Sequence, residues 1–505
     1  MKSSPFLIAG LLVLPLLTLA QPPRSAPAAP EIAFQKHTLP NGLQLILHVD
    51  RKLPVVHVNL WFHVGSKNER VGRSGFAHLF EHMMFQGSKN ASQIWEIYAE
   101  KAGANLFDGD EGGGGRTDWD RTSYQISVPS TNLEYVLWLE SDRVATLAEA
   151  VTKERFENQR DVARNERRQY LENQPYGRWR KLIFENLYPY RHPYANDIIG
   201  THEDLLAATV DDVKDFFRTF YTPNNLSLAV VGDFDPTEAK RLVENYFGGI
   251  PAGPALDRPA RWIPVLDGER VIEVRDRVSQ ERTYFAWHSP AWFDPGDAEL
   301  DLASTVLSDG LSSRLNKILV YEKRLCSEVS SFHSEMFGLP LSHEAAGIFV
   351  VSATAQPGSS LAAVEAIVTE EIARLARDGP TLAELNRAKA KWEFGFISGL
   401  ETLSVKADRL NQYNTYLGDP GKFEADLARH RAPRVADVRN VVARWLNTRN
   451  RLVVRFRPET SGREMQVALD RAQIPPLGAD RPFHAPEVKS GRLENGLEVL
   501  LVERH

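Results

Sequence analysis

The chain repeats itself. Val213 stands twelve residues before Asn225, which opens Leu-Ser-Leu-Ala-Val-Val and is followed by Pro236; Val438 stands twelve residues before Asn450, which opens Arg-Leu-Val-Val-Arg-Phe and is followed by Pro458. The two asparagines are 225 residues apart. A helix-then-strand ending that occurs twice restricts the chain to two related α+β units rather than one long fold. Beginnings echo as well: LPNGLQLILHV around Asn41 resembles LENGLEVLLVE around Asn495, 454 residues later, so the last residues read as the opening of a third unit. With 505 residues, 43% hydrophobic and 25% charged, each unit is large enough to bury its own core.

The expected partition is a signal peptide over 1–20, a linker over 21–33, a first unit over 34–248, a linker over 249–267, a second unit over 268–482 and the truncated start of a third over 483–505. Lys2 supplies a positive start, residues 6–19 are apolar, and Ala20 precedes Gln21 as a cleavage position. The apolar run is broken by Pro15 and falls short of the roughly 20 residues of a spanning helix, which points to export with cleavage, to the periplasm or beyond, and against stable membrane insertion. A net charge of -6, with 60 basic and 66 acidic residues, leaves no polybasic surface for nucleic acid. The one cysteine, Cys326, excludes an intrachain disulfide and reads as a small buried apolar residue.

Alternating apolar residues predict strands over 38–49, with an Asn41-Gly42 turn signal, and over 54–64, 123–128 and 226–231. Helical periodicity covers 75–85, 92–101, 133–146 and 153–171. Inside the first of these helices lies His78-Leu79-Phe80-Glu81-His82. At 100° per residue His78 and His82 share one face a turn apart, with Glu81 beside them. Two neutral imidazoles suit zinc, and a carboxylate three residues after the first histidine can take a proton from metal-activated water. A third ligand must come from elsewhere. The helix over 153–171 offers Glu154, Glu157, Asp161 and Glu166, and spacing alone does not choose among them. His57 and His63 lie in a strand and read as structural.

GFAHLFEHMMFQGS followed by FENQRDVARNERRQ resembles the paired zinc signature of the pitrilysin/insulinase family, the inverzincins. DRTSYQISVPSTNLEYVLWLESDR, HPYANDIIGTHEDL and, in the second unit, LSDGLSSRLNKILVYEKRL extend the resemblance from Phe34 to the end. It implies α/β-sandwich units, each an antiparallel-rich sheet flanked by helices, two of them forming one half of a clamshell whose second unit is inactive. It further implies His78, His82 and Glu166 as ligands of one zinc ion per active site, Glu81 as general base, and hydrolysis of short or unfolded peptides. The other half, on the same longer chain or a partner subunit, would supply further substrate-binding groups. A non-catalytic peptide-binding or chamber-forming partner subunit is the alternative within the same family.

The sequence departs from the family pattern twice. Gln159 stands where many members carry a second glutamate, two turns before Glu166 and on the same face, so it can hydrogen-bond but supplies no charge. Residues 108–116, DGDEGGGGR, read as a mobile glycine-rich insertion after Asn105, in the region that leads to a substrate-binding edge strand near Thr117. Asn105, Thr117, Glu157, Gln159 and Tyr194, the last in a His192-Pro193-Tyr194 loop, are the candidates for supporting the metal ligands or lining the substrate site.

Overall fold

The computed structural model describes residues 31–106, 112–258, 260–333, 335, 336, 339, 340, 343–459 and 487–502. The expected signal peptide and residues 108–111 of the glycine-rich stretch lie outside them. The described residues up to Glu459 form one compact body, and those from 487 onward belong to a second.

Besides a two-stranded sheet of Glu335–Met336 and Leu339–Pro340, the first body contains two large sheets. One is built from β1 (Gln35–Thr38), β2 (Gln44–Val49), β3 (Val55–Phe62), β4 (Gly113–Thr117), β5 (Thr122–Pro129) and β6 (Leu226–Gly232), in the order β1-β2-β6-β3-β5-β4. Only β2 and β6 run parallel. The other is built from β7 (Arg270–Asp276), β8 (Arg282–Ser289), β9 (Cys326–His333), β10 (Gly347–Ala355) and β11 (Leu452–Pro458), in the order β7-β11-β8-β10-β9, and only β7 and β11 run parallel. Strand for strand, the second sheet repeats the first without β1.

The helices follow the same plan. The first unit carries α1 (Phe76–Met83) after β3, α2 (Trp95–Lys101), α3 (Leu133–Ala150) and α4 (Lys153–Arg167) after β5, then α5 (Trp179–Leu187), α6 (Val210–Phe220) before β6, and α7 (Pro236–Phe247). The second carries α8 (Asp297–Ser308) after β8, α9 (Leu361–Asp378) and α10 (Leu382–Gly399) after β10, then α11 (Leu403–Leu417), α12 (Phe423–Arg431) and α13 (Val435–Trp445) before β11. Val213 and Val438, the residues that betray the repeat, are both buried at the start of the helix that precedes the returning strand.

Each unit covers the other's sheet. α5 packs on β8 and β11, joining Ile183, Phe184 and Tyr188 to Tyr284, Ile348 and Val454, while α11 packs on β3 and β6, joining Leu410 and Tyr413 to Ile46, Ala229 and Val231. The exchange explains why β6 is buried at every position and β3 and β8 at all but the first. Strands covered on both faces bury polar residues as well, and His57, Asn59, Ser227 and His288 are each hydrogen-bonded there. Polar bonds cross the same seam: Trp61 Nε1 donates to Asp408 Oδ1 at 2.8 Å, and Asn411 Nδ2 donates to the Asn59 carbonyl at 3.0 Å.

Two local expectations need correction. Residues 38–49 form a hairpin, not one strand, because the Leu39–Leu43 loop turns the chain back, with Gly42 at φ 89 and its N–H donating to the Leu39 carbonyl at 2.9 Å. Residues 113–116 are not loop. They belong to β4, which pairs with β5 from Gly113 opposite Ile126 to Thr117 opposite Thr122. The hairpin of the second body, β12 (Val488–Arg492) and β13 (Glu498–Val502), reproduces β1 and β2 in its turn. Gly496 has φ 87 and donates to the Leu493 carbonyl at 2.9 Å, and Leu497 N–H donates to Asn495 Oδ1 as Leu43 N–H does to Asn41 Oδ1.

Candidate metal centre

α1 begins at Gly75, whose φ of 84 is left-handed and whose Cα faces the Ile199 carbonyl so closely that a Cβ there would stand 2.6 Å from it. Both features demand glycine. The first N–H groups of the helix are met by a buried carboxylate: Gly75 donates to Glu69 Oε2 at 3.1 Å and Ala77 to Oε1 at 2.9 Å. Phe76, Leu79, Phe80 and Met83 then bury the opposite side, which fixes the direction in which His78 and His82 point.

α4 packs against α1 and brings a third donor to the two histidines. His78 Nε2 lies 3.3 Å from His82 Nε2, and Glu166 Oε2 lies 3.5 Å from the first and 3.4 Å from the second. Ligands about 2.0–2.1 Å from a tetrahedral zinc stand roughly 3.3–3.4 Å apart, so the three atoms outline one face of a zinc tetrahedron. The donor set fits the metal, and it leaves a fourth corner for water or substrate. Of the four acidic residues the sequence offered on this helix, Glu166 is the one in this group.

Around His78 the surroundings favour the neutral imidazole that a metal ligand requires, whereas His82 is drawn toward its charged form by Glu166. Burial pushes the His78 imidazole down to about 4, with His82 acting in the same direction, so it is neutral. Burial alone would lower His82 and raise Glu166, but their mutual contact reverses both shifts. His82 Nδ1 faces Gln159 Oε1 at 3.4 Å, and an amide oxygen can only accept, so Nδ1 carries the hydrogen and Nε2 is left with its lone pair toward His78 and Glu166.

Glu81 sits between this group and the sheet edge. Thr117 Oγ1 donates to Glu81 Oε2 at 2.6 Å, and burial raises the carboxyl above its ordinary range against that hydrogen bond. Gly115 explains the glycines of β4: a Cβ there would meet Glu81 Cγ and Phe85 Cε2 at 2.9 Å. Sequence reasoning missed Gly115 and Glu69. The run Gly112–Gly115 was the only signal for the former, and nothing marked the latter.

The remaining candidates lie elsewhere. Glu157 is half-buried, with Lys153 Nζ at 4.0 Å, and Asn105 is exposed between α2 and β4. Tyr194 is buried in the seam between the units, where its hydroxyl donates to Asp120 Oδ2 at 2.6 Å and accepts from Ala345 N–H at 2.9 Å. Its aromatic body needs the apolar cluster around Trp119 and Tyr188, which takes it away from the surface. His57 and His63 also serve packing, His57 Nδ1 lying 2.8 Å from Ser127 Oγ and His63 Nε2 lying 2.7 Å from Glu344 Oε2.

Comparison with known proteins places this geometry. Residues 45–201, which include all four of His78, Glu81, His82 and Glu166, match the model of Insulinase (Peptidase family M16), and residues 207–391 match that of the Peptidase M16 inactive domain. Zinc protease PqqE of Helicobacter pylori is 30% identical over 382 residues, 74% of this chain and 82% of that protein. A crystal structure of a protease from Helicobacter pylori superposes with a TM-score of 0.76 at 27% identity, covering 85% of this chain and 100% of that one. The periplasmic protease PqqL from Escherichia coli shares the fold, with a TM-score of 0.67 at 18% identity over 95% of this chain and 56% of that one. With the inverted histidine motif on one helix, the partner glutamate on the next and relatives that match over most of their length, the chain belongs to the insulinase family, peptidase family M16.

Proposed function

We propose that the chain is a zinc-dependent endopeptidase that hydrolyses short or unfolded peptides at the His78, His82 and Glu166 group. The triangle of 3.3, 3.4 and 3.5 Å between their donor atoms carries the proposal. Zinc, when bound there, acidifies water and polarises the scissile carbonyl. Glu81, raised by burial and held by Thr117, accepts the proton released by the attacking water and passes it to the departing amine. β4 pairs with β5 on one side only, so its other edge offers backbone donors and acceptors to an extended peptide lying beside Glu81.

The second unit would serve as the inactive wall of a chamber that closes against another half, on the same polypeptide or a partner subunit. The hairpin at 488–502, with the turn of β1 and β2 and every strand residue exposed, is read as the opening of a further unit. The amino-terminal pattern of residues 1–20 supports export to the periplasm. Among the described residues no helix is long and apolar enough to cross a membrane.

The test is cleavage of a quenched-fluorescent library of unstructured peptides, with and without chelator, beside Glu81→Gln. Cleavage that chelator suppresses and that Glu81→Gln abolishes while metal stays bound supports the peptidase. Bound metal with no cleavage of any member favours the non-catalytic, peptide-binding partner.

A further inference from the structure

The repeat places a second polar group where the first unit has its metal centre. α8 is the counterpart of α1, since each follows the central strand equivalent to the other, packs against the edge strand of its sheet, and packs against the counterpart helix, α4 or α10. α1 presents His78 and His82, and α8 presents Asp297 and Asp301, at the same spacing of one helical turn. His333, at the end of edge strand β9, faces them as Thr117, at the end of β4, faces Glu81.

The second group is built to converge. Asp297 Oδ2 is engaged outward, accepting from Phe293 N–H at 3.0 Å and from Arg429, and Asp301 Oδ2 is engaged by His430 Nε2 at 2.9 Å. The other oxygen of each aspartate turns inward. Asp301 Oδ1 lies 2.8 Å and Asp297 Oδ1 lies 3.9 Å from His333 Nδ1. Asp297 is fully buried, and among the described residues its Oδ1 has no hydrogen-bond partner. A buried carboxylate oxygen left this way is costly unless something cationic meets it. Asp297 and Asp426 share the guanidinium of Arg429, and Asp301 and Asp426 meet the His430 imidazole, so the partners around the group engage its outer oxygens.

His333 Nδ1 donates to Asp301 Oδ1 at 2.8 Å, a hydrogen bond that a cation would replace, and Nε2 lies 2.9 Å from Ser289 Oγ, which can accept the ring hydrogen once Nδ1 coordinates. The separations of 2.8 and 3.9 Å straddle the roughly 3.3 Å edge of a metal tetrahedron, and shifts of about half an ångström bring both to that length. The group lines a cavity of about 1000 Å³ that also reaches Trp179 and Arg180 of the first unit, so a cation can enter.

We propose that Asp297, Asp301 and His333 form a second divalent-cation site, for Zn2+ or Mn2+, at the position in the second unit that corresponds to the zinc centre of the first. Two carboxylate oxygens and one imidazole nitrogen suit ions of this borderline class. The position that corresponds to Glu81, three residues after Asp297, is Leu300, which is buried. The second site therefore holds a cation without a base beside it, and adds no hydrolytic centre.

The experiment is metal content after gel filtration of the full chain loaded separately with Zn2+ and with Mn2+. With His78→Ala and His82→Ala removing the first centre, about one equivalent of one of the two ions is retained, and adding Asp301→Asn or His333→Gln removes it. No retention of either ion, or retention that both added substitutions leave unchanged, overturns the proposal. In that case the hydrogen bonds of His333 and His430 to Asp301 are the whole of the arrangement. Because Asp301→Asn can compromise folding, crystals of the unsubstituted chain grown with Mn2+ provide an independent reading. An anomalous peak between Asp297, Asp301 and His333 supports the site, and a peak at His78 and His82 with none there overturns it.

Discussion

Apart from β1, the two units have the same strands in the same order, yet only the first has a carboxylate, Glu81, three residues after the first donor of its polar cluster. In the first, α1 places Glu81 beside His78 and His82, and Thr117 of β4 donates to Glu81. In the second, α8 places Asp297, Leu300 and Asp301 at the matching positions, and Leu300 faces the core with Leu302 and Val306. The fold supplies the geometry for gathering three donors twice. On the proposed reading the two clusters differ in their donors and in the residue three after the first donor, Glu81 in one and Leu300 in the other. The difference also shows in the edge strands: β4 is glycine-rich where it passes Glu81, whereas β9 carries Val329 and His333 into its own unit.

The sharpest way to break this comparison is to remove the base. Glu81→Gln keeps shape and hydrogen-bonding ability but cannot take a proton, and peptide cleavage should fall by roughly 10²–10⁴-fold. Metal content measured on the same samples should be unchanged. A variant that loses its metal instead would assign Glu81 to the ligand set.

The seam between the units responds to acid. His288 of β8 donates from Nε2 to the Leu187 carbonyl of α5 at 2.8 Å, and burial pushes its imidazole down to about 4. The unfolded chain binds the same proton near pH 6.5, so stability is complete above that pH and falls as the pH drops toward about 4. The loss should be at most about 3 kcal/mol. Urea denaturation at pH 7 and pH 5 should show the difference, and His288→Gln should flatten it. An unchanged profile in His288→Gln would move the acid response to another group.

Gln159→Glu sharpens the first centre. A charged acceptor on His82 Nδ1 should raise metal affinity by about tenfold, read as the chelator concentration that strips the metal. No change would mean that the amide already orients the ring fully. The smallest effect is expected from Thr117→Val, which removes the 2.6 Å hydrogen bond to Glu81 Oε2 without changing its shape. Cleavage should fall by a few-fold to about tenfold, in kcat rather than KM, in keeping with one hydrogen bond to a charged group at about 1.5 kcal/mol.

Much of this was legible in the residues. Val213 and Val438 gave away the duplicated helix and strand, Asn41-Gly42 marked a turn, and the one-turn spacing of His78 and His82 put them on one face. These are local matters, set by the 3.6-residue and two-residue periods and by the backbone freedom of glycine. The choice of Glu166 over Glu154, Glu157 and Asp161 was not local. It depends on how α4 crosses α1. The conversion of Gly113–Gly115 into an edge strand was hidden as well, because glycine has little tendency to form strands by itself. It is held there by pairing with β5 and required there by the nearness of Glu81 and Phe85. Tyr194 matched a motif near the site but was drawn into the seam, and nothing in the sequence marked Asp297 and Asp301. By itself the sequence showed the repeat, several helices and strands of the first unit, and that His78 and His82 share one helix face with Glu81 beside them. Only the tertiary structure decided which distant carboxylate meets them and which polar groups are buried without partners, because those outcomes depend on where elements far apart in the chain cross.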